Sequence, residues 1–225
     1  MLRWLPENVS TYGGDIDGIL SLIYGLTLFW FFLMIGLIVV FVLVFRRREG
    51  RRAAYLRGER FAEAVWIFVP VAIVLALDLW IDLSGATAWG KVKGPIPEGA
   101  LHVHVLGKQF NWFIRYPGPD GTFDTADDFV SENDLHVPVN RPVRLTLISQ
   151  DVIHNFFVPA LRAKQDVLPG RPVEMWFEAT KPGKYEMPCA ELCGFGHSGM
   201  NGHLIVHTKE DFEKWTKERW PERPQ

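Results

Sequence analysis

The chain has 225 residues, enough for one or two domains, and a formal net charge of −2. So small a net charge supplies no bulk field for nucleic acid or for an anionic partner. Nearly half of the residues are hydrophobic, yet there are only two cysteines, so a densely disulfide-stapled secreted scaffold is excluded.

In chain order, residues 1–17 contain no apolar run, and no cleaved signal peptide is expected there. Ile19 to Phe45 follows, 27 residues without a charge. As a helix it would be about 40 Å long, more than the hydrocarbon thickness of about 30 Å. A buried helix of a soluble protein is rarely apolar on every side for that length. Next comes an arginine-rich loop: Arg46, Arg47, Arg48, Arg51, Arg52, Arg57 and Arg60, opposed before Glu63 only by Glu49 and Glu59. Such a loop is expected on the cytoplasmic side, with both termini outside. A second apolar segment has an uncharged centre of 14 residues, Ala64 to Leu77, and continues through Asp78 and Asp82 to Leu83. That length suits either a core helix or a span; a span is preferred because the first helix needs a return. Asp78 and Asp82, four apart, share a helix face, turned either to solvent or to a partner in the membrane. The spans are set at about 19–45 and 61–83.

From about Glu98 the pattern alternates as strands do. Leu101–Leu106, Arg141–Ile148, Val173–Glu178 and Gly202–His207 are predicted strands, separated by turn signals at Pro117-Gly118, Asp120-Gly121, Pro169-Gly170 and Pro182-Gly183. Gln109–Tyr116 is an aromatic-rich strand. Short strands broken by Pro and Gly imply a β-sandwich or barrel. Asp120, Asp124, Asp127, Asp128, Glu132 and Asp134 form an acidic stretch without Lys or Arg, by default a solvated loop, alternatively a docking surface for a basic protein, and less so a calcium site, since the spacing fits no EF-hand loop. His102, His104, His136, His203 and His207 have no Cys or Met companions and are expected to be ordinary strand histidines. Asp211–Arg219 is predicted as a short surface helix.

The chemistry concentrates in Cys189-Ala190-Glu191-Leu192-Cys193-Gly194-Phe195-Gly196-His197-Ser198-Gly199-Met200. Two thiolates, an imidazole and a thioether are a soft set suited to copper. A disulfide would suit an extracytoplasmic domain, but leaves His197 and Met200 unexplained. Zinc takes Cys and His, but thioether is a poor zinc ligand. A mononuclear blue-copper site needs one cysteine; two in one loop suggest two coppers sharing bridging thiolates. The absence of C-x-x-C-H excludes covalent c-type haem in this chain.

This loop resembles that of subunit II of the haem–copper respiratory oxidases, the cytochrome c oxidase type. Two further stretches carry the resemblance: His154–Pro159 with Lys164–Arg171, and Glu63–Pro70. Together they extend it over residues 15–208. The resemblance implies a membrane-anchored all-β protein, a two-helix transmembrane hairpin followed by a cupredoxin-like Greek-key β-barrel. The expected division is 1–97 for the N-terminal segment and hairpin, 98–208 for the copper domain and 209–225 for a tail with a short helix.

It implies a dinuclear copper centre, CuA, bridged by Cys189 and Cys193. His154 and His197 would each bind one copper, with Met200 and the carbonyl of Glu191 as weak ligands. The Glu191 side chain would hold magnesium shared with subunit I; Glu63, which on its own reads as a carboxylate favoured at a helix N-terminus, would by the resemblance stand at the mouth of a proton pathway. Electrons from cytochrome c would arrive near Phe110 or Trp112; Phe110 stands where the family has an exposed tryptophan. No cytochrome c domain follows the barrel in this sequence, so the donor is expected to be a separate molecule or subunit. The implied partners are a haem-bearing subunit I, other oxidase subunits and cytochrome c, free or held in the complex; no nucleic acid is implied. The location is a bacterial-type inner membrane, with the copper domain on the outer, periplasmic side. Two other functions share these features: the copper-bearing subunit of a nitric oxide reductase, and a membrane-tethered copper delivery protein.

Overall fold

The structure is a computed structural model that describes residues 5–52 and 59–220. Arg57 of the arginine loop and the last residues of the tail lie outside them. The chain divides into two compact units, one spanning Asp15–Ala88 and the other formed by residues 5–14 and 89–220.

In the first unit, helix α1 (Gly13–Val44) and helix α2 (Phe61–Val92) are each long and apolar enough to cross a membrane. Their large apolar side chains, Phe32, Phe41, Trp66 and Phe68 among them, are exposed. An apolar surface on this scale has no place in water, and with backbone bonds satisfied within each helix it suits hydrocarbon. Pro70 lies inside α2. Lacking an N–H, it leaves the carbonyl of Trp66 without its intrahelical donor. Both helices extend past the expected spans, α1 at its start and α2 at its end.

The second unit is built from ten strands. The larger sheet combines β1 (Leu101–Lys108), β2 (Asn111–Tyr116), β3 (Phe129–Glu132), β5 (Pro142–Ser149) and β8 (Val173–Glu178), in the order β3-β2-β1-β5-β8. The smaller combines β4 (Asp134–Pro138), β9 (Gly183–Pro188) and β10 (Asn201–His207), in the order β4-β10-β9. A third pair, β6 (His154–Val158) with β7 (Ala163–Val167), closes one side. Two pairings are parallel, β1 with β5 and β4 with β10, as crossover connections of a Greek key require.

Alternation fixes which face is inside. In β5, Val143, Leu145 and Leu147 are fully buried while Arg144 and Thr146 point outward. Trp112, Ile114 and Tyr116 from β2 meet Leu135, Val137, Leu204 and Val206 of the smaller sheet in one core.

Residues 5–14 group with this unit rather than with the hairpin. Val9, fully buried, donates its amide to Ala160 O at 2.9 Å, and its carbonyl accepts from Thr180 at 2.8 Å. Its backbone groups are thus satisfied as those of an added edge strand are.

The tail helix α3 (Lys209–Arg219) is capped by Thr208, whose hydroxyl accepts the Asp211 amide at 3.2 Å. It is more than a surface helix: Trp215 is buried and stacks on His136 with ring centroids 4.7 Å apart.

Candidate metal centre

Three loops meet at the end of the barrel where β1 turns into β2. Phe156 in β6 bridges to Cys189, the Cys189 amide donates to Met200 O at 3.0 Å, and Ala190 donates to Asn155 O at 3.0 Å. These bonds bring His154, far away in sequence, against the cysteine loop. The loop is tightened by His197 N–H to Gly194 O at 3.1 Å and Met200 N–H to His197 O at 3.1 Å. Gln109 at the β1–β2 turn donates its side-chain amide to Cys193 O at 2.5 Å.

Within this frame Cys189 Sγ and Cys193 Sγ are 3.9 Å apart. A disulfide bond is about 2.05 Å, so both thiols are free. The gap leaves the two sulfurs free to hold a metal ion between them. His154 Nδ1 lies 3.8 Å from Cys189 Sγ, and His197 Nδ1 3.5 Å from Cys193 Sγ, so each sulfur has its own imidazole. Met200 Sδ is 3.7 Å from Cys193 Sγ, and Glu191 O is 3.3 Å from Cys189 Sγ. His154, Cys189, Cys193 and Met200 are buried. Burial, with the Cys189 thiol alongside, pushes the Cys193 thiol up to about 11. Paired thiolates in this setting need a cation to hold them, and a soft one matches two sulfurs, two imidazoles and a thioether. Among the described residues, the one group of three ligating side chains with converging atoms is His154, Cys189 and Cys193.

Asp151 escaped the sequence reading. Its Oδ1 lies 2.8 Å from His154 Nε2, turning Nδ1 toward the sulfurs. Burial opposes ionisation of Asp151, but amide donors from Gln109 and Val152 and the His154 ring outweigh it and hold the carboxyl at about 2. The available signal was its spacing, three residues before the histidine. Gly194 and Gly196 were also passed over. Gly194 has φ +134°, and a Cβ on Gly196 would stand 2.5 Å from Phe110 Cδ2, so Phe110 is a platform beneath the loop.

Phe110 is half-buried, whereas Trp112 is fully buried, its ring centroid 5.9 Å from that of His154. Trp112 has no surface to offer a donor protein. The acidic stretch starts after Tyr116, at the other end of β2 from the cysteine loop, and returns along β3 to Glu132, which pairs with Phe113 near the start of β2. It is also partly neutralised, since Arg115 pairs with Asp124 and Asp128. Exposed beside the two cysteines instead are Leu192 and Phe195. The other histidines have different partners: His102 bonds Thr146, His104 stacks on Phe123, His203 bonds Asp134, and His136 bonds His207.

The family model described as "Cytochrome C oxidase subunit II, periplasmic domain" matches residues 101–207. "Alternative cytochrome c oxidase subunit 2" of Bradyrhizobium diazoefficiens is 32% identical over 238 residues, 96% of this chain and 83% of that protein. The chain belongs to the cytochrome c oxidase subunit II family. A second relative, cytochrome c oxidase subunit 2 of Thermostichus vulcanus, is 32% identical across 95% of this chain and 78% of its own length. The solved periplasmic domain of cytochrome oxidase subunit II from Bradyrhizobium japonicum is 33% identical, covering 56% of this chain and 96% of that one, with a TM-score of 0.49. As a subunit II, the chain is a component of an oxidoreductase complex and is anchored in a membrane by its two helices. Its His-Cys-Cys group fits copper.

Proposed function

We propose that this subunit II receives electrons one at a time from cytochrome c and passes them to haem in subunit I, where oxygen is reduced to water with proton translocation. The observation that carries the reading is the pair of free sulfurs 3.9 Å apart, each facing its own imidazole. Cys189 and Cys193 would bridge the two coppers of CuA, with His154 and His197 as one ligand each and Met200 and Glu191 O as weak ligands. The copper pair supplies one-electron redox chemistry.

The chain supplies the rest. Asp151 holds the His154 ring, the strand ends hold the loops, and the buried sulfurs are kept from water. Loops held at strand ends in this way resist the rearrangement that would slow each transfer. Glu191 is exposed, which suits a carboxylate reaching outside the chain for magnesium shared with subunit I. Phe110, lying against Gly194 and Gly196 of the metal loop, is the better-placed residue for electron arrival.

The functional division is an N-terminal segment and hairpin in 1–97, a copper domain in 98–208 and a tail in 209–225, with residues 5–14 of the first part joining the barrel. The hairpin sits in a bacterial-type inner membrane, with its arginine loop inside and the copper domain on the periplasmic side. Glu63, in the first turn of α2, has Oε2 buried without a partner among the described residues, a state that suits a carboxylate exchanging protons with a neighbouring subunit.

The test is the complex purified in mild detergent. It should contain a haem-bearing partner and reduce oxygen with reduced cytochrome c, and Cys189→Ser should abolish that turnover. Glu63→Gln should slow turnover at unchanged metal content. Turnover of nitric oxide in place of oxygen, or no haem partner, would overturn the reading.

A further inference from the structure

The first compact unit contains a charged group that electron relay does not use. Asp78, in the second half of α2, lines an apolar groove of about 770 Å3 between α1 and α2. Facing it from α1 are Ile23, Thr27 and Trp30. The Thr27 hydroxyl is already committed, donating to Ile23 O of its own helix at 2.8 Å. Among the described residues, Asp78 has no hydrogen-bond or ion-pair partner. The described cations of this unit, Arg46 to Arg52 and Arg60, all lie in the connection beyond the far end of both helices. α1 carries no charge from Ile19 to Phe45, so the wall opposite Asp78 is apolar.

A carboxylate on such a wall is costly against lipid. Ionisable residues of membrane helices face a bundle interior and pair there. The groove's lining is apolar apart from Asp78 and Thr27, and the single charge, that of Asp78, selects the complement.

We propose that the α1–α2 groove seats a transmembrane helix of a partner subunit bearing a Lys or Arg at the depth of Asp78. That ion pair fixes the register of the hairpin in the complex. The apolar walls give the contact its area, and the buried pair penalises every other register, because a shifted partner leaves both charges unpaired. The inference rests on membership of a multisubunit membrane complex, and is independent of the metal in the barrel.

The test compares whole complexes purified in mild detergent from cells making the parent chain, Asp78→Asn, Asp78→Glu or Val74→Trp. Four readouts are taken: partner-to-chain ratio, copper content, bound lipid and oxygen turnover. Asp78→Asn should lower the ratio several-fold and Asp78→Glu should retain it. Val74→Trp, which fills the groove and leaves the carboxylate, should also lower it. Copper content should be unchanged throughout. A parental ratio in either Asp78→Asn or Val74→Trp overturns the proposal. So does loss of an amine-bearing lipid from Asp78→Asn at a parental ratio, since the groove would then hold a headgroup. Failure of electron relay would appear separately, as absent turnover in complexes whose partner ratio responds as described.

Discussion

Asp151 Oδ1 lies 2.8 Å from Nε2 of His154, a histidine with no exposed surface. The carboxylate thus decides which imidazole nitrogen faces Cys189. Asp151→Ala should leave the barrel folded but weaken metal retention by about 10–100-fold, the usual effect of losing a carboxylate behind a ligating histidine. Chelator competition on the detergent-solubilised chain measures it. Unchanged retention would mean that the strand alone orients the ring.

The glycines of the metal loop should divide by what surrounds them. Gly196→Ala puts a methyl 2.5 Å from Phe110 Cδ2, whereas Gly199→Ala meets nothing within 4 Å. The first should destabilise the unit by about 1–3 kcal/mol, the second by no more than about 0.5 kcal/mol. Denaturant unfolding followed by tryptophan fluorescence separates them.

Phe110 and Trp112 should respond differently to truncation. Trp112→Ala empties a core position and should cost about 3–5 kcal/mol. Phe110→Ala should leave folding nearly intact and slow electron arrival within the docked complex, read by stopped-flow with reduced cytochrome c. Neutralising Asp127 and Asp128, at the far end of β2, should leave the association rate unchanged. A large fall in that rate would restore the acidic loop as the docking surface.

The strands and the convergence of the cysteine loop were legible because their signals are local: alternation for β1, β5, β8 and β10, and the close Cys-Cys-His-Met spacing of residues 189–200. What was illegible depends on distant contacts. That Val9 joins the barrel follows from bonds to Ala160 and Thr180, more than 150 residues away. The interior position of Trp112 is set by the phase of β2, since Asn111 and Phe113 take the outward positions. Composition gave it and Phe110 equal standing. The role of Asp151 needed the β1–β2 turn, because Gln109 supplies one of its donors.

A pH dependence follows from α3. His136 Nδ1 lies 2.8 Å from His207 Nε2, and Trp215 covers its ring. Burial, then the neighbouring His207 and to a lesser degree Arg219, lower His136 to about 4, against the pull of Asp134. His207 is lowered too, by burial, with Asp211 opposing. The unfolded chain takes up these protons near 6.5. This contribution to stability is therefore complete above pH 6.5 and is lost as pH falls toward 4. Thermal melts across that range should show the decline, flattened in His136→Phe. A melting temperature that rises on acidification would contradict the assignment.

Cys189 and Cys193 are proposed to hold two coppers between them, and metal analysis of the purified chain, loaded with copper in the presence of equimolar zinc, checks this most directly. The expected result is two coppers per chain, no zinc and loss of the pair in either Cys189→Ser or Cys193→Ser. One copper per chain, zinc in preference to copper, or a Cys189–Cys193 disulfide in place of metal would contradict it.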